Sequence, residues 1–289
     1  MMKRMLYVRD CSVNWFEHVS GSLDDETACF YAKNPGWFAT DLEGVIDWCT
    51  AERIGGIAVE GLLRDRHDAV PVKDGSGGFE AARRVCDYAK AKGIDIWLVT
   101  PRRADGLVYR ELYDQPEKFD LLSPERVRAE LPGLVGIAYA DEPIDGGVFL
   151  NVPTTGLDFL VEPIRAACAA ASVRGETKLI LKVAPSPHRA NAEFNYHAFA
   201  YFTDDPARTF ADYVRDVMAP RLGGMAYAKK YVEWAGLVRN PSRIPSAQSE
   251  LAQMLPGLTD TAALGRWYSL AEYLGAAQFA AEQREEAKA

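Results

Sequence analysis

Three apolar runs in this chain end in acids. Leu134-Val135-Gly136-Ile137-Ala138-Tyr139-Ala140 breaks off into Asp141-Glu142-Pro143. Gly56-Ile57-Ala58-Val59 ends in Glu60-Gly61, and Met5-Leu6-Tyr7-Val8 ends in Arg9-Asp10. Carboxylates gathered at one sheet edge suit the cleavage of a glycosidic bond. One carboxyl stays protonated to give a proton to the leaving oxygen, and another stays ionised as nucleophile or base. Repulsion between neighbours such as Asp141 and Glu142 would separate the two roles. Glu142, Glu60 and Asp141 are the candidate catalytic residues. Glu142 comes first because it follows a wholly apolar run and precedes a proline; Asp141 also reads as a supporting or capping acid.

Around these acids the sequence offers a binding set. Trp97, Tyr139, Tyr109 and Tyr113 can present flat apolar faces to a ring. Arg9, Arg64, His67 and His188 can donate hydrogen bonds to hydroxyls or to a carboxylate. Asp10 reads as a ligand group or as the partner of Arg9, and Lys182 lies on the fifth expected strand. Glu193 is a further candidate acid that also reads as the head of a helix, and His197 reads as a packed histidine.

The elements that must hold these residues follow a β-α-β-α rhythm of roughly 35–40 residues per unit. That rhythm calls for a parallel sheet with right-handed crossovers. Strands are expected at Met5–Val8, Gly56–Gly61, Ile94–Pro101, Leu134–Ala140 and Thr177–Pro185. Helices are expected from Asp41, from Phe79 to Lys92 with Gly93 as its cap, from Pro124, and from Gly156 to Val173 with Gly175 beyond it. Asp41 is the expected N-cap of the first helix and Gly55 its stop. The segment Glu193–Phe202 is aromatic and ambiguous between helix and strand. Only helices are expected after Asp205: Pro206–Leu222, Met225–Leu237, Ser246–Leu255 and one from Asp260 to the end. The fold class is α/β, a (β/α)8 TIM-barrel-like domain over residues 1–204 that is incomplete at five legible strands, followed by a helical region over 205–289. Missing strands would leave sheet edges that helices or a second copy must cover, so a homo-oligomer fits.

Net charge of −8 argues against nucleic acid or an anionic membrane as the main partner. No apolar run approaches the ~20 residues of a membrane-spanning helix. The basic start of the chain is interrupted too early for a signal peptide, so a cytoplasmic location is expected. Five widely spaced cysteines without a CxxC read as reduced thiols.

The stretch Ala140–Pro143, together with Gly56–Gly61 and Cys86–Pro101, resembles TIM-barrel glycoside hydrolases and hydrolase-like proteins of bacterial polysaccharide metabolism. The aromatic run and Asp-Pro turn within Glu193–Gly224 are similar to a late helical segment in several of them. The resemblance implies a carbohydrate substrate and an acid/base glutamate at the end of the fourth strand, which is the position of Glu142. It also implies a nucleophile from a strand near the seventh, and no such strand is legible here. Glu60 or Asp141 would then be the second acid. The glycosidase reading calls for no cofactor and assigns no residue to a metal. One alternative on the same fold is a sugar isomerase or epimerase. It would hold a divalent cation with Glu60, Asp141 or Glu142 and His188, and Lys182 would assist proton transfer. The other alternative is a non-catalytic carbohydrate-binding or assembly protein.

Overall fold

The computed structural model describes residues 2–9, 35–60, 62, 78–100, 102–103, 106–107, 124–139, 142–150, 152, 159–182 and 189–286. The chain forms two compact units. One comprises Met1–Asn151 with Ala171–Pro187, and the other Val152–Ala170 with His188–Ala289.

The first unit is built on six parallel strands: β1 (Lys3–Arg9), β2 (Gly56–Glu60), β3 (Asp95–Thr100), β4 (Gly136–Tyr139), β5 (Val148–Leu150) and β6 (Lys178–Lys182). Their order across the sheet is β4-β3-β2-β1-β6-β5, and the sheet curls into a half-barrel. The chain therefore steps outward from β1 to β4, then returns on the other side of β1. The five-strand expectation is corrected to six. Val148–Leu150 has three residues, too few to set up a readable alternation. The strand leading to Asp141 and Glu142 is the fourth, as expected. Arg102–Arg103 and Gly106–Leu107 add a small antiparallel pair.

Both faces of the sheet are apolar, as parallel strands covered on two sides require. Leu6, Val8, Ile57, Val59, Ile96, Leu98, Leu179 and Leu181 are buried on one face. On the other, Met5, Tyr7, Ala58, Val99, Ala138, Ile144 and Ile180 form one cluster, with Trp97 and Phe149 packed against it. Tyr7 and Phe149 stand two strands apart, yet their rings meet at 5.9 Å. That contact marks the cluster as the concave face.

Side-chain size alternates from strand to strand on this face. Tyr7 is level with Ala58, Ala58 with Trp97, and Trp97 with Gly136. The indole fills the space beside Gly136 so completely that a β-carbon there would lie 2.5 Å from Trp97 Cζ3. A β-carbon on Gly56 would lie 3.0 Å from Met5 Cε and 3.3 Å from the Asp95 carbonyl oxygen. Glycine inside a strand marks such close approach.

Helices α1 (Pro35–Ala51), α2 (Gly78–Lys92), α3 (Pro124–Glu130) and α4 (Val161–Val173) connect the strands. α1 begins six residues before the expected Asp41 cap, because Pro35 supplies a preset φ at its first position. Its stop is not Gly55 but Arg53, at φ 57°. Ile54 N–H donates to the Cys49 carbonyl at 2.8 Å, and the Arg4 guanidinium donates to the Arg53 carbonyl at 2.9 Å. Gly93 and Gly175, both at φ 73°, end α2 and α4 with the same pair of backbone bonds. α4 starts at Val161, later than the expected Gly156. Cys49, Cys86 and Cys168 are free and buried. Burial pushes the Cys86 and Cys168 thiols up to about 12 and the Cys49 thiol higher still.

The second unit is helical: α5 (Arg189–Asp204), α6 (Phe210–Tyr213), a π-turn (Val214–Met218), α7 (Ala219–Leu222), α8 (Met225–Ala235), α9 (Ile244–Met254) and α10 (Thr261–Glu286). The ambiguous 193–202 segment is helix. Phe194, Tyr196, Phe199 and Phe202 are all buried, Phe194 against Tyr231 and Phe202 against Tyr213, a tertiary demand that periodicity alone does not display. Buried Trp267 gathers Tyr231 and Trp234 and donates its indole N–H to the Leu222 carbonyl at 3.1 Å. The helix expected from Pro206 starts at Phe210, capped by Thr209 in a reciprocal box with Asp212. No helix among the described residues is long and apolar enough to cross a membrane.

Two outcomes follow. Gly136→Ala should lower stability to urea unfolding by about 1–3 kcal/mol, the usual cost of overpacking. Adding Trp97→Leu to that variant should recover part of the loss, and strict additivity would show that the two residues do not share the space. The second concerns acid. The Thr209 hydroxyl and backbone N–H hold the Asp212 carboxyl down at about 2. A depressed carboxyl stabilises the fold above its unfolded value near ~3.9 and loses that contribution as pH falls through the folded value. The stability gap between the natural chain and Asp212→Ala should be full at neutral pH and close between about pH 4 and 2.

Candidate functional site

A parallel sheet brings the C-terminal ends of all its strands to one edge, where side chains from several strands can share a ligand. At this edge Arg9 is paired in register with Glu60, and Thr100 with Tyr139. The loop that carries Asp141 and Glu142 leaves from Tyr139.

That loop is tied at both ends. Glu142 N–H donates to the Tyr139 carbonyl at 3.2 Å. Two residues on, Ile144 is 1% exposed and belongs to the concave cluster. Ile144-Asp145-Gly146-Gly147 then forms a tight turn, with positive φ at Asp145 (50°) and Gly146 (70°) and a 2.8 Å bond from Gly147 N–H to the Ile144 carbonyl. Asp-Gly is the pair that such a turn favours. Lys178 locks it by donating to both the Asp145 carbonyl and the Asp145 carboxylate. Glu142 is therefore an exposed acid on a short loop with both ends fixed.

Below the edge lies a lysine among rings. Lys182, the last residue of β6, is half-buried and level with Tyr7. Its Nζ sits 4.6 Å from the Tyr7 ring centroid and 5.5 Å from that of Phe149. Each such contact contributes about 0.5–2 kcal/mol, depending on how dry the site is. Trp97 faces the same cluster at the same level, half-buried. Its benzo edge lies over Gly136, so its N–H edge points away from β4. Trp97 Nε1 is buried with no acceptor among the described residues.

Of the candidates from sequence, Glu142, Trp97, Tyr139 and Lys182 are described in full. Glu60 and Arg9 are described as backbone. Asp141, Asp10, Arg64, His67, His188, Tyr109 and Tyr113 lie outside the described residues. The structure brings Trp97 and Lys182 to one apolar cluster, with Tyr139 at the edge above. Glu193 belongs to the helical unit. Both of its oxygens accept from Arg266, at 2.6 and 2.9 Å, and His197 Nε2 stands 3.8 Å away. Its carboxylate ties α5 to α10. Among the described residues no cluster of three or more His, Cys, Asp or Glu is placed to hold a metal ion; Asp141 and His188 are outside that set. Tyr7, Phe149 and Ile144 were not singled out from sequence. The alternation in Lys178-Leu-Ile-Leu-Lys182 was a usable signal that both lysines share a face, whereas nothing local marks Phe149 or Ile144.

No protein-family model, curated protein or solved structure matches this chain.

The anchoring of the loop is testable apart from any activity. Ile144→Ala should cost about 2–4 kcal/mol in urea unfolding, as a fully buried large-to-small change does. A loss under ~1 kcal/mol would mean that the site collapses around the deletion and that Ile144 is no anchor.

Proposed function

We propose that this chain is a glycoside-hydrolase-like protein that binds carbohydrate at the C-terminal edge of the curled sheet. Glu142 acts as general acid/base, with Glu60 or Asp141 as the second carboxylate. The observation that carries this reading is the register. β2 and β4 flank β3 in a parallel sheet, and both run out into acids at the same edge. The fixed loop supports the choice of Glu142, since a proton donor must be held within hydrogen-bond reach of the leaving oxygen. We read the sheet as an incomplete (β/α) barrel, interrupted between β4 and β5. The strand that would bring a nucleophile from farther along the chain has no counterpart among the described residues, which turns the choice of second acid toward Glu60 or Asp141.

A binding protein without catalysis is the second reading, and the exposure of Glu142 favours it. Acid catalysis gains from a site that excludes water, and the Glu142 side chain is exposed. Hydrolysis of a panel of aryl glycosides, alongside binding of the matching sugars, separates the two. The enzyme reading predicts that Glu142→Gln lowers kcat by about 10²–10⁴-fold, while sugar binding persists. Turnover unchanged in Glu142→Gln would overturn it. Sugar binding with no turnover in the natural chain would leave the binding reading in its place. Turnover abolished by a chelator and restored by a divalent cation would instead favour the isomerase-type site.

A further inference from the structure

β4 and β5 run parallel, so residues 140–147 carry the chain from the C-terminal edge of the sheet back to its N-terminal edge. No helix lies in the described part of that stretch, residues 142–147. Its lower end reaches Lys178, the first residue of β6, which is level with Lys3. The Lys178 side chain is only 12% exposed. Its stem lies along Gly147, where a β-carbon would come 2.9 Å from Lys178 Cδ. Its ammonium donates to the Asp145 carbonyl at 2.8 Å and to the Asp145 carboxylate. Gripping the main chain and the side chain of one residue fixes its orientation as well as its place. Asp145 stands at φ 50°, in the left-handed region, and the two bonds offset the cost of that conformation. From this grip to Glu142 the chain has few soft dihedrals. Ile144 is pinned in the concave cluster, Pro143 fixes its own φ, and a residue before proline is disfavoured in the helical region. A stiff spacer passes a displacement along instead of absorbing it.

Resting on the acid/base reading of Glu142, we propose that Lys178 is a positioning residue for that carboxyl. It acts from the opposite edge of the sheet. Lys178 holds Asp145, the stiff spacer joins Asp145 to Glu142, and the loop presents Glu142 at the C-terminal edge. The bond from Glu142 N–H to the Tyr139 carbonyl ties the upper end. The Asp145 side chain is 43% exposed, so its pairing with Lys178 adds under about 1 kcal/mol to the stability of the fold. The value of the pair lies in geometry instead, since a misplacement of about 1 Å at a reacting group can cost ~10²-fold in rate.

Backbone 15N relaxation of the full chain, alongside aryl-glycoside kinetics, tests this. In the natural chain the Glu142 amide should have the order parameter of rigid backbone, about 0.85. Lys178→Met keeps the apolar stem and removes the grip, and there the Glu142 value should fall below ~0.6 while the Val99 amide stays rigid. Asp145→Asn keeps the carbonyl acceptor and tolerates the left-handed conformation, so it should show a smaller loss, and it serves in place of Lys178→Met if that variant folds poorly. Turnover should drop by roughly 10–10²-fold in kcat for Lys178→Met with KM kept, because lost positioning is felt in the transition state. A lysine that served stability alone would lower Tm and leave both readouts unmoved. Glu142 order retained in both variants, or KM raised with kcat kept, would overturn the inference and leave the acid/base reading standing. A natural chain without turnover would overturn the acid/base reading, and the relaxation result would still decide whether Lys178 holds the loop.

Discussion

The indole of Trp97 over the bare backbone of Gly136 is the contact on which the half-barrel depends. A sheet that curls this tightly has too little room on its concave side for a large residue on every strand. The chain answers by alternating: Met5 and Tyr7 on β1, Gly56 and Ala58 on β2, Trp97 and Val99 on β3, Gly136 and Ala138 on β4. Interiors are packed to the density of organic crystals, so a single added methyl at a small position has nowhere to go. The two strands that carry the small residues, β2 and β4, are the ones whose sequence runs on into acids, Glu60 and Asp141-Glu142.

The helix ends of the first unit fix where its strands begin. Three helices stop in the same backbone motif, two of them on glycine and one on Arg53. Each hands the chain to a strand within two to four residues. The Asp-Gly turn after Ile144 does the comparable work on the loop between β4 and β5. The helical unit has its own centre in Trp267 and the Glu193–Arg266 pair. That pair is mostly shielded from water, so removing one partner would leave a charge stranded.

Much of the α/β character was legible because buried parallel strands are continuous apolar runs, and four of the six were long enough to stand out. Met5–Val8 was shorter but ended in charge. Val148–Leu150 was hidden because three residues cannot show a period, and because a strand directly after a tight turn, without a helix before it, breaks the β-α rhythm. The start of α1 was missed because Asp41 looks like a cap and Pro35 lies in a polar stretch. The aromatic run of α5 defeated periodicity, since Phe194, Tyr196, His197, Phe199 and Phe202 are all buried and a helix surrounded by neighbours shows no polar face. For the site, acids at strand ends could be read from sequence, whereas Lys182 set between Tyr7 and Phe149 could not. Those three residues lie on strands whose adjacency is fixed only by the sheet order.

The pH dependence of kcat/KM on an aryl glycoside tests the central claim most directly, that two carboxylates at one sheet edge divide the work of acid and base. The account predicts a bell-shaped profile. Its alkaline limb should disappear in Glu142→Gln, where no proton donor remains, and its acidic limb should disappear when the second acid, Glu60 or Asp141, is replaced by its amide. A profile whose limbs survive all three replacements would contradict it.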